Sequence, residues 1–203
     1  MVKKTISIGV VGVQGAVSEH IAMMKQAFEI EQIDGSVYSF KQKEMIKDLK
    51  GIILPGGEST TISRFLQRHG LTDEIRKRVS EGSLALMGTC AGCVLLAKKI
   101  VDDDADVSLL KVMDIEVKRN AFGRQRESFE KDVFIKDWKK PFPAVFIRAP
   151  VIEKTGTDCR VLSQLDSDII MVEQKNMLAL SFHPELTDDP RIHHYFLQKA
   201  VSL

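Results

Sequence analysis

Hydrophobic positions in the first hundred residues follow two periods that take turns. Thr5–Val11, Gly51–Leu54 and Leu84–Met87 are short apolar runs with the length and β-branched content of buried strands. Between and after them, Val17–Phe28, Thr60–His69, Thr72–Glu81 and Ala91–Lys99 place apolar residues at helical spacing. Parallel strands need a crossover between them, and a helix supplies it, so this alternation predicts a parallel sheet with helices covering its faces.

The pattern changes beyond about Val112. Strand-like runs at Asp114–Lys118, Val133–Ile135, Val145–Ala149, Ile169–Glu173 and Leu178–Ser181 follow one another with turns between them, which predicts an antiparallel or mixed half. Pro190–Val201 reads as a closing helix, because Asp189 can cap the first amides and Pro190 suits the first helical position. With 203 residues, no internal repeat and no linker, the expectation is a single domain over 1–203.

Composition narrows the partners. The chain has 29 Lys and Arg against 28 Asp and Glu, a net charge of +1, so it presents no broad field for nucleic acid or anionic lipid. The short apolar run Ile6–Val13 is interrupted by Gly9 and Gly12 and lacks a small-residue cleavage site, so neither an export signal nor a membrane span is expected. Three cysteines without framework spacing suit a reducing cytoplasm better than a disulfide scaffold. The acidic run Asp102-Asp103-Asp104-Ala105-Asp106 lacks the glycine and the later glutamate of a calcium loop and reads as a solvated loop, so no metal and no cofactor are expected.

Chemistry concentrates at the third strand-to-helix junction. Leu84–Met87 leads through Gly88-Thr89-Cys90-Ala91-Gly92 into an apolar helix, the cysteine form of a nucleophile elbow, in which flanking glycines permit a sharp turn that thrusts the central side chain out of the sheet end. Unpaired amides at a helix start favour a thiolate. Such a dipole, worth ~0.3–1 kcal/mol, is too weak to ionise an ordinary thiol at neutral pH, so a base is required.

The strand-like run Leu178–Ser181 ends in Phe182-His183-Pro184-Glu185. Residues two apart in an extended chain share a side, so Glu185 can orient an imidazole at His183 that faces Cys90. Pro184 cannot donate to a ladder and places the pair at a strand exit. Nucleophile, base and orienting acid thus follow the logic of a triad. The remaining histidines, His20, His69, His193 and His194, fall in or beside helices, where a surface position is the default.

A competing reading uses the same letters. Cys90-Ala91-Gly92-Cys93 is also Cys-x-x-Cys at a helix start, as in dithiol oxidoreductases, but that reading leaves His183 and Glu185 unexplained. A third glycine-bearing turn, Leu54-Pro55-Gly56-Gly57-Glu58-Ser59-Thr60-Thr61, can cradle an oxyanion with its amides and lacks the lysine of a phosphate loop.

Leu54–Thr61, Gly88–Gly92 and Ser181–Thr187 together resemble class I (triad) glutamine amidotransferases. Gly12-Val13-Gln14-Gly15-Ala16, Arg119-Asn120-Ala121-Phe122-Gly123-Arg124-Gln125 and Val145-Phe146-Ile147-Arg148-Ala149-Pro150 narrow the resemblance to the glutaminase subunits of pyridoxal 5′-phosphate synthase, the PdxT/SNO family. The resemblance implies an α/β, doubly wound, mostly parallel sheet flanked by helices, with an antiparallel extension in the second half. It implies Cys90, His183 and Glu185 as catalytic residues and L-glutamine as substrate, contacted by Gly56, Gly57, Glu58, Arg119, Ile147 and Arg148. It places an oxyanion hole at the amides of Gly57 and Ala91, and it puts Gln14 and Gly15 near the contact with a synthase subunit (PdxS/SNZ-like) that receives ammonia and activates the glutaminase. One departure is Cys93, where the family commonly has an apolar residue. A glutaminase serving histidine biosynthesis, or a non-enzymatic protein on the same fold, are the further alternatives.

Overall fold

A computed structural model describes residues 5–101, 106–119, 121 and 128–203. In chain order these form β1 (Ile6–Val11), α1 (Val17–Glu31), β2 (Gly35–Phe40), β3 (Gly51–Leu54), α2 (Ser59–Arg68), α3 (Leu71–Ser80), β4 (Ala85–Thr89) and α4 (Ala91–Leu96). Then follow β5 (Ala97–Ile100), β6 (Met113–Lys118), β7 (Ser128–Val133), β8 (Phe142–Ile147), β9 (Val151–Thr155), β10 (Arg160–Leu165), β11 (Asp168–Gln174), β12 (Met177–Leu180) and α5 (Arg191–Val201).

Ten of the strands join one sheet in the order β2-β1-β3-β4-β12-β11-β9-β6-β5, with β10 paired to β11. The run from β2 to β12 is parallel throughout, while β12, β11, β9 and β6 pair antiparallel, as the change of pattern after Val112 predicts. Strands β7 and β8 make a separate antiparallel pair.

Successive strand residues serve opposite faces. Ile52 and Leu54 of β3 and Leu86 of β4 pack with α2, α3 and α4, whereas Ile53 and Met87 pack with α1, α5 and the β7–β8 pair. Helices on both faces of a parallel sheet make the doubly wound architecture, and strand order reverses between β1, which leads to β2, and β3, which leads to β4. Ligands of such sheets bind outside the carboxyl ends of the strands at that reversal. The loops after β1, β3, β4 and β12 all open there.

Several boundaries depart from expectation. The helix expected over Ala91–Lys99 ends at Leu96, because Ala97 is extended (φ −62, ψ 153) and Ala97–Ile100 pairs parallel with β6. Tertiary pairing overrides the apolar helical spacing there. Val133–Ile135 is not a strand of its own: Val133 closes β7, and the run expected over Val145–Ala149 is the later part of β8, which ends two residues sooner at Ile147. Strands β2, β9 and β10 have no counterpart among the apolar runs. Pro190 immediately precedes α5, and Asp189 does accept from the Arg191 amide at 3.1 Å.

Candidate functional site

Strand β4 runs without interruption into Cys90, whose backbone lies at φ 51, ψ −107, a region that residues with a Cβ rarely occupy. The amide of Cys90 donates to Leu180 O at 2.8 Å, which fixes the turn to the end of β12. Close packing holds it from below. A Cβ on Gly92 would lie 2.0 Å from Leu54 O, and one on Gly88 would lie 2.5 Å from the backbone of Gly92. The elbow is therefore clamped between the ends of β3 and β12.

His183 leaves β12 on that same end, its amide donating to Val145 O at 2.8 Å. Its Nδ1 is 2.7 Å from Glu185 Oε1, and Glu185 is 3% exposed, so the carboxylate is held against the ring with little water to compete. Burial of the ring opposes charge, but hydrogen bonds to Cys90 and Glu185 and the negative charge of both outweigh it, and the His183 pKa rises to about 10. Cys90 Sγ also points to Ile147 O at 3.7 Å. A thiol has one proton, so the carbonyl and the imidazole compete for it.

The Pro55–Glu58 loop lies flat on this pair. A Cβ on Gly56 would stand 2.4 Å from His183 Cε1, and Gly57 adopts φ 135. Gln14 Oε1 accepts from the Glu58 amide at 3.1 Å, and a Cβ on Gly15 would stand 2.0 Å from Gly56 O. The Gln14-Gly15 segment and the Gly56-Gly57 loop are thus in direct contact. Glu58 caps α2 through the Thr60 amide at 3.4 Å and pairs with Arg119 Nη2 at 3.3 Å. Ile147 is 38% exposed at the end of β8, and the exposed Arg148 follows it at φ 45. Ala91 opens α4 directly after Cys90.

Asn120 and Phe122–Gln125 of the arginine-containing motif, and Asp102–Ala105 of the acidic run, lie outside the described residues. Asp106 pairs with Arg64 at 3.6 Å. Among the described residues, no group of three or more His, Cys, Asp or Glu is spaced to hold a metal ion, and no helix is long and apolar enough to cross a membrane.

Two histidines overturn the surface expectation. His20 of α1 and His193 of α5 are both 0% exposed, joined Nδ1 to Nε2 at 2.9 Å. His20 Nε2 is 3.2 Å from Thr89 Oγ1 and 3.4 Å from Glu185 Oε2. His69 is exposed, and the partly buried His194 bonds Glu31. The missed signal was helical periodicity: His20 lies on one stripe with Met23, Met24, Ala27 and Phe28, and His193 on one with Ile192, Phe196, Leu197 and Ala200.

Cys93 is fully buried among the residues between the sheet and α2 to α4, and burial pushes its thiol pKa up, out of the titrating range. All three cysteines are free.

The profile of the SNO glutamine amidotransferase family matches residues 10–202. The chain is 49% identical to pyridoxal 5′-phosphate synthase subunit PdxT of Pyrococcus furiosus over 197 residues, covering 97% of this chain and 100% of the relative. It is 47% identical to the PdxT subunit of Methanosarcina acetivorans over 202 residues, with the same coverage. A crystal structure described as a glutamine amidotransferase superposes with a TM-score of 0.85 at 47% identity, covering 96% of this chain and 98% of that one. A glutamine amidotransferase from Thermotoga maritima shares the fold at a TM-score of 0.64 and 12% identity, over 97% of this chain and 96% of that one. On the matched profile and on full-length identity near one half, the chain belongs to the SNO glutamine amidotransferase family.

Proposed function

We propose that the chain is the ammonia-releasing subunit of a pyridoxal 5′-phosphate synthase, hydrolysing L-glutamine to L-glutamate at Cys90, His183 and Glu185. The observation that carries this reading is the arrangement at the carboxyl edge of the sheet, where a cysteine at a strained turn stands beside an imidazole whose Nδ1 is held by a buried carboxylate. The names of the PdxT relatives support the same activity and the same biosynthetic role.

Cys90 Sγ, its proton passed to His183, attacks the side-chain amide carbon of glutamine, and the carbonyl oxygen becomes an oxyanion facing the amides of Ala91 and Gly57. One such donor is typically worth ~2.7–4 kcal/mol in the barrier. His183 gives its proton to the amide nitrogen as the C–N bond breaks and ammonia leaves, with a γ-glutamyl thioester on Sγ. Water then gives a proton to His183 and attacks the thioester, the C–S bond breaks, and glutamate departs. Glu185 holds the ring tautomer and balances the imidazolium in both halves.

Glutamine brings an α-carboxylate and an α-ammonium that need partners once desolvated. Arg119 and Glu58 already face each other at 3.3 Å and can answer one each, with Arg148 as the alternative cation. Gly56 and the Ile147 backbone complete the floor. Ammonia passes to a separate synthase subunit of the PdxS/SNZ type, with the Gln14-Gly15 contact on the Gly57 loop as the route by which docking reaches the oxyanion hole. The free cysteines suit a cytoplasmic setting.

The test is ammonia release from glutamine by the purified chain, alone and with a PdxS-type subunit. Activity is expected to rise with the partner and to vanish in Cys90→Ala; release that survives Cys90→Ala refutes the mechanism. Cys93→Ala is expected to retain activity, because a sulfur that is fully buried and protonated offers no dithiol chemistry.

A further inference from the structure

Behind Glu185, away from Cys90, three buried polar side chains that the triad chemistry does not use form a chain that ends on its carboxylate. His193 Nε2 meets His20 Nδ1 at 2.9 Å, His20 Nε2 meets Thr89 Oγ1 at 3.2 Å, and Glu185 Oε2 stands 3.4 Å from the same His20 nitrogen. The elements involved are α5, α1, the last residue of β4 before Cys90, and the segment after β12. His20, His193 and Thr89 are 0% exposed and Glu185 3%, so bulk solvent does not reach them.

Proton bookkeeping leaves two arrangements for a pair of neutral rings. With His20 protonated on Nδ1, that N–H donates to His193 Nε2. His193 must then carry its own proton on Nδ1, which has no partner among the described residues, and the bare His20 Nε2 can accept only from the Thr89 hydroxyl while it faces a carboxylate oxygen. With His20 protonated on Nε2, that N–H lies between Thr89 Oγ1 and Glu185 Oε2, His20 Nδ1 accepts from His193 Nε2–H, and the partnerless His193 Nδ1 is only an unused lone pair. A stranded donor together with a lone pair set against a carboxylate is the worse arrangement in a low-dielectric interior. Among the described residues Glu185 Oε2 has no other hydrogen-bond partner, and the His20 nitrogen stands 3.4 Å from it.

We infer that His20 is a positioning residue of this centre, an uncharged Nε2–H imidazole whose tautomer is set by His193 and which steadies Glu185 from behind. The inference rests on the reading of Cys90, His183 and Glu185 as the glutaminase triad. Glu185 then has one oxygen on the His183 ring and one facing the His20 N–H, so rotation of the carboxylate away from His183 is opposed. The contact with Thr89 ties the same imidazole to the residue preceding the nucleophile. Neutrality matters to this role: a charged His20 would discharge Glu185 and weaken the hold on the His183 imidazolium. Burial favours the neutral ring on both histidines, and the neighbouring His193 and His183 depress His20 further.

The first test needs no mutation. With histidine labelled in 15N, long-range proton–nitrogen spectra of the wild-type chain are expected to show His20 and His193 both protonated at Nε2 and bare at Nδ1, unchanged between about pH 6 and pH 8. A His20 protonated at Nδ1, or titrating in that range, overturns the assignment. The second test is ammonia release with the synthase subunit present. His20→Leu is expected to lower kcat about 10- to 100-fold, with KM for glutamine nearly unchanged and the pH profile of kcat/KM displaced. His20→Gln, whose amide can donate from about the Nε2 position, is expected to recover most of the loss. A folded His20→Leu with wild-type kcat and pH profile overturns the role, as does a folded His20→Gln that rescues nothing. If His20→Leu does not fold, the spectra and His20→Gln decide. Ammonia release that persists in Cys90→Ala would refute the triad while leaving the tautomer result intact, so the two readings fail separately.

Discussion

At Cys90, backbone and side chain make opposing demands. A Cβ at φ 51, ψ −107 costs on the order of 1–3 kcal/mol, and the turn persists because Cys90 N is bound to Leu180 O and the glycines on either side admit the β3 and α4 backbones. Replacing Cys90 by Ala keeps the strained Cβ, whereas Gly removes it. Cys90→Gly is therefore expected to be more stable than Cys90→Ala by about 1 kcal/mol in urea unfolding, against the usual penalty for glycine; equal stability would mean that the turn is unstrained. Glu185→Gln keeps the size of the side chain and removes its charge. It is expected to lower kcat about 10²–10⁴-fold with little change in KM. These residues were legible because each sits in a local pattern of five letters or so. His20, Thr89 and His193 were not, since their meeting depends on α1 packing against α5 beneath the end of β4, a contact between residues far apart in sequence.

Among the elements, the glycine loops divide into those that hold the sheet together and one that shapes the site. Gly92→Ala would drive a Cβ to 2.0 Å from a main-chain oxygen that cannot swing aside, whereas Gly56→Ala meets the His183 ring at 2.4 Å. Gly92→Ala is expected to destabilise the chain by about 2 kcal/mol or more. Gly56→Ala should lower activity severely with a smaller loss of stability, since a ring can move and its alignment with Cys90 goes with it. Parallel thermal melts and ammonia assays of the two variants separate these effects, and the reverse ranking would show that the Gly56 loop is structural. The strands that the apolar pattern revealed, β1, β3, β4, β6, β11 and β12, include the central ones, whose residues are buried on both faces. β2 is an edge strand with mostly half-buried residues, β10 lies off the main path, and β9 opens the turn-rich stretch after Pro150, so their patterns are diluted. The shortening of α4 to Ala91–Leu96 has the same origin: the pairing of β5 with β6 lies outside any local window.

Across the whole molecule, the buried histidines set opposite pH limits on stability. His183 has a folded pKa of about 10, above the ordinary unfolded value near 6.5. Its contribution is fully present below about 6.5 and is lost as pH rises through about 10. His193, held down to about 3 by burial, and His20, also depressed, behave in the opposite sense: unfolding lets them bind protons, so stability falls as pH drops below about 6.5. Burial of Glu173 is outweighed by hydrogen bonds from Lys199 and Tyr195, and hydrogen bonds from Gln198 and His194 hold Glu31 down, so both carboxyls add a loss only below the ordinary range near 4.3. Between about pH 6.5 and 4.5 the histidines therefore dominate, and each proton taken up on unfolding steepens the decline by about 1.4 kcal/mol per pH unit. Urea midpoints measured across that window are expected to fall with the slope of nearly two protons in the wild type. His193→Gln, which keeps a donor toward His20 and removes one titrating ring, is expected to show about one proton fewer while leaving the alkaline limb of His183 in place. An unchanged acid slope in that variant would mean that His193 is not held neutral by the fold, and that the α1–α5 contact is open to water.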